Sequence, residues 1–288
     1  MSGFDTISFL SDFGHHDEFV GVVHSVIRSI SPATSVIDVT HGIAPHDTRA
    51  GGLALARAAP YLAPGVVVAV VDPGVGTDRR AVAIEVGHGS SILVGPDNGL
   101  LAPAVGFVGG ATGVVEVTNP DYLLPASGPT FDGRDVFAPA AAHLCNGVQM
   151  SDLGPALDPA TLRPGLLPVC HDDGGDLVSE ILWIDRFGNC QLNVAPDDIA
   201  HLGSVMQLVV GDQLRTAEMV TGYDEIPIGR VGLIIDSSGL VSIAMPRSSA
   251  AAQLGAGEGA AVRLRAAGSD GREHVVSAVE LSRREERE

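Results

Sequence analysis

Basic residues are scarce in this chain: 17 Lys and Arg stand against 35 Asp and Glu, a formal charge of −18 over 288 residues. A nucleic-acid partner, which calls for a basic face, is therefore not expected. Cysteine is scarcer still. Cys145, Cys170 and Cys190 lie far apart with no CxxC spacing, which argues against structural zinc and fits a reducing compartment. No apolar run approaches the roughly 18 residues of a membrane span. The opening Met1-Ser2-Gly3-Phe4-Asp5 lacks the basic and then apolar stretches of a secretory signal. A cytoplasmic protein with no membrane partner is the expectation. What is present is core-forming material. Hydrophobic residues make up 45% and charged residues 18%, too apolar for disorder and enough for one large or two ordinary domains.

The first half alternates strand and helix patterns. Ile7 to Ser11 reads as a strand and ends at Asp12-Phe13-Gly14. Asp17 then precedes Phe19, Val20, Val23, Val26, Ile27 and Ile30 at helical spacing, so Asp17 is placed as the cap and Ser31-Pro32 as the stop. Ser35 to Thr40 is a second strand, and Asp47 opens a small-residue helix through Ala58. Further strands fall at Gly65 to Val71, Ala81 to Val86, Ser91 to Val94 and Val114 to Thr118, with a helix from Val136 to Leu144. This alternation predicts an α/β domain with a largely parallel central sheet, residues 1–165. The prolines between Leu153 and Asp173 read as a linker. Beyond them come short runs at Leu177 to Ile184, Met206 to Val210, Val231 to Ile235, Leu240 to Ala244, Ala261 to Arg265 and Val275 to Leu281. They predict a smaller β-barrel-like domain, residues 166–288. The charged tail from Arg283 to Glu288 needs no function.

Polar clusters sit where strands end. The richest is Asp72-Pro73-Gly74-Val75-Gly76-Thr77-Asp78-Arg79-Arg80, directly after an unbroken apolar strand. Ligands in open α/β sheets bind at the carboxyl ends of strands, and glycines let backbone approach a ligand closely. Asp72 and Arg79 would there display a carboxylate and a guanidinium together; the plainer alternative is a surface ion pair. The others are Ser11-Asp12-Phe13-Gly14, Gly95 to Leu101, Thr130 to Asp135, and Asp185-Arg186-Phe187-Gly188-Asn189. Asn98-Gly99 by itself is turn chemistry.

Taken in this order, and with Asp38-Val39-Thr40-His41-Gly42-Ile43 and Ile235 to Gly239, these segments resemble the S-adenosyl-L-methionine (SAM) hydroxide adenosyltransferases. These are relatives of the enzymes that join fluoride or chloride to C5′ of the same substrate. The resemblance runs from Ile7 to about Ala250. It implies a cofactor-free displacement in which water attacks C5′ of SAM, giving adenosine and methionine. Asp72 and Arg79 match the family's catalytic aspartate and arginine. Asp132 stands where a histidine normally completes the triad, and the two differ in kind: imidazole titrates near neutral pH, whereas carboxylates are normally ionised there.

The resemblance also assigns substrate contacts. Asp12 matches the residue that holds the ribose hydroxyls, although an aspartate there can also cap a helix. His46 takes the place of a tryptophan lining the sugar pocket of the fluorinating enzyme. Asp185 matches a ligand of the methionine ammonium and Asn189 one that reads the adenine edge. Phe187 either packs beneath Asn189 or belongs to the core. Tyr223 falls near an aromatic covering the adenine. Ser237 matches a methionine-binding serine. Ser238 replaces an arginine of the halogenating relatives, leaving Arg247 as either a carboxylate ligand or a solvated surface residue. Relatives of this kind are homotrimers whose sites lie between the first domain of one subunit and the second domain of the next.

Three alternatives stand beside hydrolysis. A halide-using transferase is disfavoured because Asp72 replaces the tyrosine of the fluorinating pattern and would repel an anionic nucleophile. The connection from Val86 to Ser91 is also short where the fluorinating enzyme has a long insertion. A metal hydrolase would draw on His15, His16, Asp17, His41, His46 and Asp47, whose spacings match no strong metal motif. A catalytically weak binder of SAM or adenosine is the third, raised by the missing histidine.

Overall fold

The computed structural model describes residues 3–268, and these divide into two compact units that meet in sequence at Pro168 and Val169. The expected strand at Val275 to Leu281 and the charged tail lie outside the described residues.

The first unit contains β1 (Thr6–Ser11), α1 (Phe19–Ile30), β2 (Ser35–Thr40), α2 (Thr48–Ala58), β3 (Val66–Val70), β4 (Ala81–Val86), β5 (Ser91–Pro96), α3 (Ala102–Phe107), β6 (Ala111–Glu116) and α4 (Ala138–Cys145). Its six strands are ordered β2-β1-β3-β5-β4-β6. The β2–β1–β3–β5 pairings are parallel, and β4 runs antiparallel to β5 and β6. The sheet is thus largely parallel with one reversed strand. A short turn joins β4 to β5 as a hairpin, with no room for a crossover helix.

The unbroken apolar run of β3 follows from burial on both faces. Phe9, Val66, Val68 and Val70 pack with Val23 and Ile27 of α1 and Ala138, Ala141 and Ala142 of α4. Leu10, Val67, Ala69 and Val71 pack on the opposite face with Leu55, Leu100 and Ala104. Full burial of each branched side chain is worth about 1.5–3 kcal/mol, so this layer holds the strand ends still. On that second face α2 comes close enough that a Cβ at Gly51 would meet Leu100 and Val71 at 2.9 Å.

Local expectations are met unevenly. Asp47 caps α2 through Ala50 N–H at 2.8 Å. Asp17 does not cap α1: Glu18 occupies that position and no side chain bonds the free N–H groups. The helix expected from Val136 begins instead with a wide π-type turn, Gly133–Phe137, which runs on into α4. α3 was not foreseen, because its Pro103 and Gly106 mask a short helix.

The second unit carries β7 (His171–Asp173), β8 (Asp176–Ile184), β9 (Cys190–Leu192), α5 (Pro196–Ile199), β10 (Val205–Val210), β11 (Gln213–Val220), β12 (Gly232–Ile235), β13 (Val241–Ala244), α6 (Ala250–Leu254) and β14 (Ala261–Ala266). Eight strands are ordered β14-β10-β11-β12-β13-β9-β8-β7, and a β14–β8 pairing closes them into a barrel. Ile181, Leu192, Met206, Leu208, Leu233, Ile243 and Leu264 fill its interior. β11 is not legible in the sequence because its exposed positions mix Leu214 with Thr216 and Glu218, blurring the period of two.

Candidate active site

Strand order places the first group of candidates. β1 is flanked by β2, its successor, on one side and β3 on the other, so chain direction diverges between β1 and β3. The carboxyl ends at such a switch point leave a crevice. Ser11 pairs with Val70, and Asp12 N–H donates to the Val70 carbonyl at 3.3 Å. Asp12 and Asp72 therefore leave adjacent strands side by side. Asn98 braces this end, donating from Nδ2 to the Val71 carbonyl at 2.9 Å while its Oδ1 accepts from Leu100 N–H at 3.1 Å. It makes a turn and also steadies the residue before Asp72.

The loop after Asp72 curls back on itself. Val75 N–H donates to the Asp72 carbonyl and Thr77 N–H to that of Gly74, both at 3.2 Å. Gly76 has φ 78°, and a Cβ there would lie 2.8 Å from the Pro129 carbonyl. Only glycine meets both demands without strain. The loop thereby touches the segment that carries Asp132. Arg79 Nε donates to both Asp72 oxygens at 2.9 Å, and its Nη2 reaches Asp72 and Asp132 together. The guanidinium also lies over the Phe137 ring, 5.3 Å from its centre.

One cation is thus clamped between two carboxylates in a partly dry setting. Side-chain exposure is 5% for Asp72, 9% for Arg79 and 21% for Asp132. Burial alone pulls the Arg79 guanidinium down, but hydrogen bonds and charge from Asp72, and the nearby Asp132, outweigh it and hold it above its ordinary range. The group keeps a fixed positive centre and a net negative charge. It can accept hydrogens from a water while repelling an anion.

Asp12 ends the neighbouring strand. It caps no helix, since α1 starts only at Phe19. Its Oδ2 accepts the His46 backbone N–H at 2.8 Å. His46 itself is exposed with φ 69°, an uncommon conformation for a non-glycine residue and one found often at functional sites. A cluster the sequence did not reveal joins these loops. Phe13, Phe19 and Phe131 pack pairwise, with ring centres 5.0 to 5.8 Å apart. A Cβ at Gly133 would meet Phe13 at 2.9 Å. These aromatics press the Asp132 segment onto the Asp12 loop; the Thr-Phe pair before Asp132 was the available signal.

The second unit holds the remaining candidates. Asp185 accepts from Phe187 N–H at 2.8 Å, Asn189 N–H at 2.9 Å and Asn189 Nδ2 at 2.7 Å. The two side chains form one rigid turn, with Asn189 buried. Phe187 is 77% exposed, so it is not core, and Tyr223 is 49% exposed. Ser237 and Ser238 are exposed in the β12–β13 turn. That turn is organised by Asp236, which sequence reading passed over. Its carboxylate accepts from Ser238 N–H at 2.8 Å, Ser242 Oγ at 2.8 Å and Gln191 Nε2 at 2.7 Å. Arg247 is exposed with φ 56°.

The His and Asp residues weighed as metal ligands do not come together as a set. His15, His16, Asp17 and His46 are exposed, and Asp47 caps α2. His41 instead joins His24 and Asp38, neither of which was among those candidates.

Comparison with known proteins finds relatives over most of the chain. Residues 7–154 match the SAM hydroxide adenosyltransferase N-terminal domain and residues 179–263 its C-terminal domain. An (R)-S-adenosyl-L-methionine hydrolase of Salinispora arenicola is 41% identical over 266 residues, 92% of this chain and 100% of that one. One from Thermus thermophilus is 40% identical, covering 90% of this chain and 98% of its own. A fluorinase of Actinoplanes sp. is more distant, 28% identical over 84% of this chain and 91% of its own. The crystal structure of an uncharacterized conserved protein from Thermotoga maritima superposes with a TM-score of 0.83 at 29% identity, over 90% of this chain and 99% of that one.

Proposed function

This chain belongs to the SAM hydroxide adenosyltransferase family, and on that premise we propose how it hydrolyses SAM to adenosine and methionine. The observation that carries the proposal is the Asp72–Arg79–Asp132 clamp at the switch point of the sheet. Water enters beside the two carboxylates and donates a hydrogen bond to each, which turns an oxygen lone pair toward C5′ of SAM. The C5′–O bond forms as the C5′–S bond breaks, and the C5′–S bonding pair goes to sulfur, so methionine leaves as a neutral thioether. The water's proton passes to Asp132, the more open carboxylate, and on to solvent. Arg79 fixes both carboxylates and keeps their spacing. The leaving group carries its own activation, so the displacement calls for neither a Lewis acid nor a covalent intermediate. A net negative clamp also suits a cationic sulfonium and disfavours halide as the nucleophile.

Asp12 holds the ribose hydroxyls, with His46 fixing its carboxylate and edging the sugar pocket. Asp185 meets the methionine ammonium, Asn189 the adenine edge, and Phe187 and Tyr223 the base. Ser237 and Ser238 bind the methionine end. These contacts divide between two units, one set on each. A homotrimer in which unit one of a subunit meets unit two of its neighbour would unite them, and the exposure of Phe187 and Tyr223 supports that reading. The deciding experiment is incubation with SAM in oxygen-18 water, halide present and absent. The expected product is adenosine labelled at its 5′ oxygen in both. A 5′-halo-5′-deoxyadenosine in place of adenosine would refute hydrolysis, and tight adenosine binding with no product would leave a binder.

A further inference from the structure

Beside the Asp12 loop lies a second polar cluster that the displacement does not use. His24 projects from α1, Asp38 from the edge strand β2, and His41 follows β2 directly. His24 Nε2 lies 2.8 Å and His41 Nε2 3.0 Å from the same atom, Asp38 Oδ1. One ligand atom from each residue falls within 4.8 Å of the others. His41 is fully buried, with its ring edge-on to Phe9 at 4.6 Å. Its Nδ1 is engaged by Ser11 Oγ at 2.7 Å. Its Nε2, despite the short distance to Asp38, makes no hydrogen bond in the described structure.

A buried ring nitrogen whose close neighbour, the Asp38 carboxylate, is poorly aligned for a hydrogen bond calls for an explanation. It faces a carboxylate oxygen, with a second imidazole nitrogen on that same oxygen, a setting that suits a cation. We propose that His24, Asp38 and His41 form a site for one divalent cation of the zinc type, outside the catalytic clamp. The donor set of two imidazoles and one carboxylate is one zinc accepts, and Zn–N and Zn–O bonds of about 2.0–2.2 Å put neighbouring ligand atoms roughly 3.3 Å apart in a tetrahedron. The observed 2.8 and 3.0 Å edges to Asp38 lie a few tenths of an ångström inside that, and the third edge, between the two imidazoles, is within 4.8 Å. Ser11 on the far nitrogen supplies the outer hydrogen bond that orients a ligating histidine. His24 and Asp38 are 35% and 39% exposed, which leaves an entry path and room for water as a fourth ligand.

The ion takes no part in the displacement. It would join α1 and β2 to the loop carrying Asp12, because the His41 carbonyl accepts Gly14 N–H at 2.8 Å and Ser11 precedes Asp12. The alternative is a proton shared between His41 and Asp38, with no ion bound.

The test titrates the metal-free full chain with Zn²⁺ against a chromophoric chelator, and with Co²⁺ read by its visible absorption. Thermal melts with and without Zn²⁺ accompany it. The expected result is one ion per chain, a tetrahedral Co²⁺ spectrum and a higher Tm with Zn²⁺. His24→Ala, a substitution at a half-exposed helix position, weakens binding by more than about 100-fold and abolishes the Tm rise. Asp38→Asn does likewise, and His201→Ala, in the other unit, leaves both unchanged. No saturable binding to the unaltered chain, or equal binding by His24→Ala, overturns the site.

Discussion

At the residue scale the consequential feature is a guanidinium with two carboxylates on it. Asp72→Asn leaves shape nearly constant but removes the charge that orients water. It should slow turnover by about 10²–10⁴-fold with far-UV circular dichroism unchanged; a near-normal rate would show that Asp132 suffices. Asp132→His restores the imidazole of the family pattern. Hydrolysis should persist or rise, measured as adenosine formed per minute, and a large loss of rate would give Asp132 a necessary role of its own. Arg79 is not exchangeable for lysine here, since its fork serves both oxygens of Asp72 while also reaching Asp132. The sequence pointed to these three residues through motif order. It could not show that they touch, because residues 53 positions apart meet only after the Phe13–Phe19–Phe131 cluster has packed.

At the scale of elements, backbone conformation does what side chains cannot. Gly76→Ala places a methyl group 2.8 Å from the Pro129 carbonyl at a φ of 78°. The loop must shift, and Arg79 with it. Turnover should fall by at least about tenfold, from a displacement of about an ångström, with only a small change in urea midpoint. Helix α4 gives a pH signature. Burial holds the His143 imidazole, packed edge-on to Tyr122 at 5.1 Å, below its usual range. As pH falls through the ordinary value of about 6.5, the unfolded chain takes up this proton before the folded one, so stability drops on acidification. Urea midpoints at pH 7.5 and 5.5 should differ less in His143→Gln than in the unaltered chain. Most strands of both units are legible because apolar runs bounded by Gly, Pro and Asp mark them; β7, β9 and β11 are not. The reversal of β4 and the wide turn at Gly133 were not, since both depend on what packs against them.

For the whole molecule, charge and division of labour matter most. All 17 basic residues are arginine, so fixed cations on this acidic surface are fork-shaped and suited to carboxylate pairing. Among the described residues no helix is long and apolar enough to cross a membrane. The candidate contacts lie on two units, and complementation tests whether subunits share sites. Asp72→Asn and Asp185→Ala chains, each weak alone, should recover activity when unfolded and refolded together. In the proposed homotrimer, random mixing gives about a quarter of the sites both intact halves. No recovery from the mixture, with each variant still trimeric by light scattering, would place each site within one chain.

Sequence alone determined the apolar runs that become β1, β3 and β5, the carboxylates that end them, and the order of motifs that places the chain in its family. Those are local properties, fixed by side-chain type and spacing. Tertiary structure decided the rest. Strand order put Asp12 beside Asp72, a glycine at positive φ brought Arg79 to Asp132, and the packing of α1 on β2 set His24 and His41 against one oxygen of Asp38. Each of these joins residues distant in the chain, and such proximity is created only when apolar faces close around a common core.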